Sequence, residues 1–288
     1  MNTRRALFAA LVLLTTALSC VVPGIQTTSP FGDGANPTPT ADTRLDIMVA
    51  ETVSSALELT ALAAPTVTPT LPPTLPPPTV TPTPQPISPG STLVKQDNGS
   101  TLFVDENAGY EIAVPAYWLA VRINEKEYYD AWLLPQAVDS HIQSSLMSIQ
   151  DQDPTTLRLL ALDVQEGHIK NEIVTNTTFI WDQGTVVSFD TDDDLTAFAD
   201  NLPSTMQGLT VASVAIVIPP SGVPYGVIKS EVGGFNASGA QVTLYQKMAL
   251  FNLKTGTLVI TFTTEDGFTE TTLPVFDGML TTITVNLD

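Results

Sequence analysis

Eleven of the 26 residues from 65 to 90 are proline, and that run limits what the chain can fold into more than any other feature. Proline fixes φ at about −65° and carries no amide hydrogen, so so dense a run cannot join a helix or a sheet ladder. The segment, threonine-rich between its prolines, is expected to lie as extended polyproline II at ~3.1 Å per residue, a spacer reaching on the order of 80 Å. Any sizeable core must then come from residues 91–288, about 200 residues, enough for one large core. That part contains no cysteine, so disulfides do not help to hold it together.

The other end of the spacer leads back to the only cysteine of the chain, Cys20. Arg4 and Arg5 precede an apolar run from Ala6 to Leu14, and small residues follow up to Ser19 apart from Leu18. This is the order of a secretory signal. Its end, Ala17-Leu18-Ser19-Cys20, resembles the lipobox of bacterial lipoproteins, with Ala17 where that motif most often has leucine. The resemblance implies that Cys20 is acylated, becomes the new N-terminus and holds the protein on the membrane. An ordinary cleaved signal peptide is the alternative. A spanning helix is disfavoured, because the apolar run is shorter than the ~20 residues a bilayer core requires. Residues 1–20 are therefore read as a lipoprotein signal peptide and 21–41 as a disordered linker.

Residues 42–64 contain no glycine or proline, and Leu45, Val49, Thr52, Ala56, Leu59 and Ala63 recur at helical spacing. A short amphipathic helix is expected, either alone, self-associating weakly, or docked on the domain or membrane. Charge narrows the partners. Thirty acidic residues against eleven basic ones give a net charge of −19, and removal of Arg4 and Arg5 makes the exported chain more negative. There is no basic stripe for phosphates, so nucleic acid is excluded. Three Asn-x-Ser/Thr sequons, at Asn98, Asn176 and Asn236, are discounted in a chain read as bacterial.

Within 91–288, residues 101–105 and 110–114 form a hairpin about Asn107-Ala-Gly109, and a third strand spans 118–123. Helices are expected over 125–132, 135–150, 192–206 and 269–281, the last capped near Asp266. Further strands cover 157–164, 173–181, 209–218, 225–231, 241–251, 257–263 and 283–287. The β-branched run from Val211 to Ile218 reads as a buried strand, and Gly233-Gly234 as a turn. The order gives an α+β class, with a mostly antiparallel sheet covered by helices. Strand 258–263 should be central, with the 269–281 helix across its apolar face and the Phe103 hairpin in the same sheet.

The segment Gly109-Tyr-Glu-Ile-Ala-Val-Pro-Ala-Tyr-Trp118 is similar to the Gly-aromatic-x-apolar-x-apolar-Pro-x-x-Trp opening of PsbP-like domains. The C-terminal strand–hairpin–strand–helix order, ending Val275-Phe-Asp-Gly-Met-Leu280, also resembles that family. It departs in a longer helical insert between 124 and 155, and in Thr281-Thr-Ile-Thr where relatives often have Ser-Phe. The resemblance implies an α/β/α sandwich serving as a binding or assembly module. It carries over no ligand residue, because one fold hosts many surfaces.

Chemistry-bearing groups are sparse. Asp190, Asp192 and Asp194 have the first spacings of a calcium loop. Leu195 stands where that loop needs glycine and Asn201 where it needs glutamate. Capping of a helix N-terminus is therefore the preferred reading, with a weak metal site as the alternative. His141 and His168, the only histidines, lack the clustered partners of a zinc site. No Gly-x-Ser-x-Gly elbow or phosphate loop exists. Asp139 beside His141 reads as a surface group. Tyr117, Trp118, Tyr128, Tyr129 and Trp132 form the one aromatic concentration, expected to pack helix on sheet, with a ligand groove as the alternative. No catalytic residue and no cofactor is assigned. The favoured reading is a non-enzymatic, lipid-anchored extracytoplasmic module on a stalk, binding an envelope protein or ligand. Alternatives are an extracytoplasmic hydrolase using His141 or His168, and a structural subunit that oligomerises through 42–64.

Overall fold

The computed structural model describes residues 90–286 except 205, 207, 220 and 221. The expected signal peptide with Cys20, the 21–41 linker, the helix expected over 42–64 and the expected proline-rich spacer lie outside the described residues.

The described chain begins with a strand that the sequence reading omitted, β1 (Ser91–Lys95). It pairs antiparallel with β2 (Thr101–Asp105), which returns through β3 (Tyr110–Val114). The β2–β3 turn is closed by Asp105, whose Oδ1 accepts from the Asn107 and Ala108 amides at 3.2 and 3.0 Å. Gly109 follows at φ +80°, a conformation that glycine adopts without strain. Alternation of Phe103, Ile112 and Val114 buries one face of the hairpin.

After Pro115 the chain leaves this sheet. β4 (Trp118–Val121) opens a second sheet. Helix α1 (Lys126–Ala131), a 3-10 turn (Pro135–Val138) and helix α2 (Ser140–Ser148) follow. The single helix expected over 135–150 is thus broken at Asp139. That residue is extended, and its Oδ1 accepts from the His141 amide at 2.8 Å, making it the N-cap of α2. Strands β5 (Leu157–Asp163) and β6 (Asn176–Gln183) come next. Helix α3 (Asp192–Ala199) ends earlier than the expected 192–206, and a 3-10 turn (Leu202–Ser204) succeeds it. Then come β7 (Leu209–Val217), β8 (Tyr225–Phe235), β9 (Gln241–Leu253) and β10 (Gly256–Glu265). Helix α4 (Thr269–Leu280) and the two-residue β11 (Thr284–Val285) close the chain. Asp266 belongs to a 3-10 turn before α4, and no side chain caps that helix.

The class is α+β, as expected, but there are two antiparallel sheets rather than one. The small sheet runs β1-β2-β3-β11, and the large one β4-β5-β6-β10-β9-β8-β7. The Phe103 hairpin therefore belongs to a separate sheet, laid over one face of the large sheet beside α4. Phe103, Ile112 and Phe276 share a core with Leu258, Ile260 and Phe262 of β10. On the opposite face, α3 covers β7–β10 through Leu195 and Ala199 against Ile228, Leu250 and Val259. Helices α1 and α2 cover β5 and β6 through Tyr128, Ile142 and Leu146. β10 lies fourth of seven, the central place expected for it, and its alternation sends Leu258, Ile260 and Phe262 to one core and Val259 to the other. A Cβ on Gly256 would sit 2.0 Å from the Asp182 carbonyl oxygen, so the start of β10 demands glycine.

Two further expectations are corrected. Gly233 and Gly234 are not a turn: they pair with Thr243 and Val242 inside a long β8. The apolar 209–217 strand is not buried; it is the edge of the large sheet, with four of its nine residues exposed.

Candidate functional site

The edge of the large sheet formed by β4 meets the small sheet at a groove of about 500 Å³. One wall is Tyr117, Trp118 and Leu119 at the start of β4; Leu134 and Gln136 from the α1–α2 connection and Lys95 at the end of β1 add to it. The other wall is Val164, Gln165, Glu166 and His168, in the turn that follows β5. Strand pairing brings the walls together, because Trp118 stands opposite Asp163, the last residue of β5.

Asp163 is almost fully buried, and its carboxylate is fully employed. Oδ1 accepts from the Gln165 amide at 3.2 Å and from Gln165 Nε2 at 3.1 Å. Oδ2 meets His168 Nδ1 at 2.7 Å. An ionised carboxylate only accepts, so this contact places a proton on Nδ1 and fixes the ring's orientation. The His168 ring also rests edge-on against Phe268, with centroids 5.2 Å apart. The imidazole is thus held from two sides in the groove wall while remaining partly exposed.

Tyr117 is the strained element of the site. The turn from Pro115 closes with the Trp118 amide donating to the Pro115 carbonyl at 3.2 Å, and Tyr117 holds φ +71°. A bulky residue pays a steric penalty there that glycine or asparagine would avoid. Its side chain is nevertheless 77% exposed, so no burial offsets the strain. Strain of this kind concentrates at functional positions. Leu133 and Val138, in the same α1–α2 connection as Leu134 and Gln136, are both 84% exposed but do not line the groove.

The expected aromatic concentration is divided by the fold. Tyr128 packs in the core beneath α1, edge-on to Trp132 at 6.2 Å, and burial raises its phenol above the ordinary range. Trp118 is buried in the groove wall, and Tyr117 stands on the rim. Of the two histidines, His168 lies in the groove. His141 is in the first turn of α2 and does not line it.

The acidic run lies elsewhere. Asp192, Asp193 and Asp194 occupy the first turn of α3. Thr191 Oγ1 accepts from the Asp194 amide at 3.2 Å, and Asp194 Oδ2 accepts from the Thr191 amide at 3.2 Å, a reciprocal capping box. Asp190 is exposed just before it. Among the described residues no three His, Cys, Asp or Glu side chains group closely enough to hold a metal ion.

Sequence reasoning missed Asp163, Lys95, Gln136 and the strain at Tyr117. The Asp163–His168 spacing of five residues carries no periodic signal, and only the turn after β5 makes it a contact. The groove's described lining contains no serine, threonine or cysteine.

No protein-family model matches the chain, and no curated protein is similar to it. Among solved structures, the chain is similar to cyanobacterial PsbP from Synechocystis sp. PCC 6803, at 14% identity and TM-score 0.42, over 66% of this chain and 95% of that one. LpqN, described as involved in cell envelope biogenesis of Mycobacterium tuberculosis, aligns at 11% identity and TM-score 0.38, over 68% of this chain and 90% of its own. A variant of the protein Mog1 aligns at 10% identity and TM-score 0.37, over 69% and 96%. These likenesses transfer no residue and no role.

Proposed function

We propose that the protein is a lipid-anchored extracytoplasmic binding module that captures a partner or ligand in the groove between β4 and the turn after β5. The observation that supports this most is Tyr117, a bulky side chain held at positive φ and left exposed on the groove rim. Around it converge an apolar rim and a few polar groups, the usual composition of a ligand site. Anchoring rests on the lipobox-like ending at Cys20, and the proline content of 65–90 supports a spacer between that anchor and the domain.

A photo-crosslinking residue at Tyr117, in cells, tests the binding reading. A discrete adduct identified by mass spectrometry, absent when the residue is moved to exposed Thr281 on the end of α4, is expected. The same adducts from both positions, or none from Tyr117, would overturn it. Cys20→Ser tests the anchor: the processed variant should leave the membrane fraction, and continued membrane association of a processed variant would remove that part.

The oriented Asp163–His168 pair favours one second reading, an extracytoplasmic hydrolase in which His168 acts as a general base on a water molecule. Turnover of an ester or amide panel that disappears in His168→Ala would support it over simple binding.

A further inference from the structure

We propose that Asn98 is a self-modification site, at which the side-chain amide is lost to intramolecular attack by the Gly99 backbone nitrogen and an aspartate or isoaspartate remains. The site does not depend on the groove reading. Of all the asparagines in the chain, Asn98 alone is followed by glycine, so no side chain on the next residue shields that nitrogen. The pair sits in the β1–β2 turn, where Lys95, Gln96, Asp97, Asn98 and Gly99 are all exposed. Gly99 holds φ +85°, a conformation that other residues adopt only with strain.

The turn does more than expose the pair. Asn98 Oδ1 accepts from the Ser100 amide at 3.0 Å and from the Ser100 hydroxyl at 2.7 Å. The ring closed by the first bond contains both atoms that must join, Asn98 Cγ and the Gly99 nitrogen. Both donors bind the oxygen on which negative charge develops as that nitrogen adds, the arrangement that stabilises a tetrahedral intermediate. One bond opposes the reaction: the Gly99 amide donates to the Gln96 carbonyl at 3.0 Å. That bond closes an exposed turn, so opening it uncovers no buried side chain. The freed amide gives its proton to water, its nitrogen bonds to Cγ, and the Cγ–Nδ2 bond breaks. Nδ2 takes a proton from water and leaves as ammonia. Solvent water then opens the resulting succinimide at either carbonyl. The product gains a negative charge close in sequence to Lys95, which lines the groove.

The test is peptide mapping by mass spectrometry of the full chain, kept folded at mildly alkaline pH. Residue 98 should become aspartate and isoaspartate with time, while Asn107, exposed in the β2–β3 turn but followed by alanine, keeps its amide. Ser100→Ala removes one donor and should slow the conversion at least about threefold, short of the roughly hundredfold lost in an enclosed oxyanion site. Ser100 is only half-buried, so the variant should keep the parent's melting temperature. In urea, where the turn is absent, Ser100→Ala and the parent chain should convert at the same rate. The proposal is overturned by an unchanged residue 98, by equal folded-state rates with and without the Ser100 hydroxyl, or by a Ser100→Ala deficit that persists in urea. Conversion of Asn107 as fast as that of Asn98 would overturn it too.

Discussion

The Arg158 guanidinium grips the Asp105 carboxylate in two places, Nε to Oδ2 at 2.6 Å and a terminal nitrogen to Oδ1 at 3.1 Å, and so ties the large sheet to the small one. Arg158 owes its direction to an irregularity. Leu157 pairs with Ile180 and Leu159 with Phe179, so Arg158 is an extra residue in β5. A bulge of this kind re-aims the side chain. Both groups are buried, and the guanidinium also lies 5.7 Å from the Trp181 ring and donates to the Pro154 carbonyl.

Breaking that pair should be costly, because the remaining partner becomes an uncompensated buried charge. Arg158→Met is expected to lose about 3–5 kcal/mol. The Arg158→Met/Asp105→Asn double variant should lose less than the two single losses added together, since asparagine can still accept from the turn amides. Chemical denaturation of the three variants checks this. Additive losses would mean that the two residues do not depend on one another.

Tyr110 lies beside the same pair. Burial, then the Asp105 carboxylate, push its phenol well above the usual range, while Arg158 pulls it down. Tyr225 and Tyr245 are raised too, by burial and then by the Asp277 carboxylate. An unfolded tyrosine ionises at about pH 10, where the folded one keeps its proton. The stabilisation is therefore complete below about pH 10 and is lost as pH rises through the folded values. The melting temperature should drop steeply above about pH 10, and Tyr110→Phe should flatten the drop. Its hydroxyl has no hydrogen-bond partner among the described residues, so the substitution should change stability at pH 7 by less than about 1 kcal/mol. Parallel pH profiles for the two proteins would contradict the assignment.

Phe276 of α4 stacks on Phe262 of β10, with centroids 4.9 Å apart and planes within 20°. It is fully buried, and Lys247 Nζ lies 5.9 Å from its ring while pairing with Asp277. Phe276→Ala should cost about 3–5 kcal/mol through lost transfer and the cavity left behind. A loss under about 1 kcal/mol in urea titration would mean that α4 does not depend on this contact.

Tyr117 offers a separation of stability from function. Tyr117→Gly removes the positive-φ penalty and should stabilise the fold by about 1 kcal/mol. Tyr117→Ala keeps the strain and should not. Both should weaken binding of the partner that cross-linking identifies, measured with that partner purified, since both lack the ring. Equal melting temperatures for the two variants would show that the turn stores no strain.

Much of the architecture is legible because it is encoded locally. Leu258, Ile260 and Phe262 alternate with Val259 and Thr261, and that period admits a half-apolar strand and nothing helical. Leu273, Phe276 and Leu280 recur at helical spacing, which marks α4. Glycine at 109 makes the tight β2–β3 turn possible. The prolines of 65–90 remove eleven of its 26 amide donors whatever surrounds them.

Other outcomes depend on partners that no local pattern names. Alternation in β2 and β3 requires a buried face, but it is satisfied equally by a place in the large sheet or by a second sheet laid upon it. The turn after Pro115 and the Arg158–Asp105 contact belong to the second arrangement. Gly233 and Gly234 look like a turn by propensity, yet β9 supplies hydrogen bonds along their length, and ladder pairing overrides the weak local preference. The apolar β7 looks buried by composition, but burial is set by position in the strand order, and it came last. The groove is decided the same way. Asp163 and His168 acquire their relation from a turn, and Tyr117 acquires its exposure from the chain's crossing between sheets. The sequence by itself determined most of the strands and the helical stretches of the 91–288 domain, because those depend on short-range sterics and periodicity. Tertiary structure alone decided which strands became edges and which side chains met, because those depend on pairings between residues far apart in the chain.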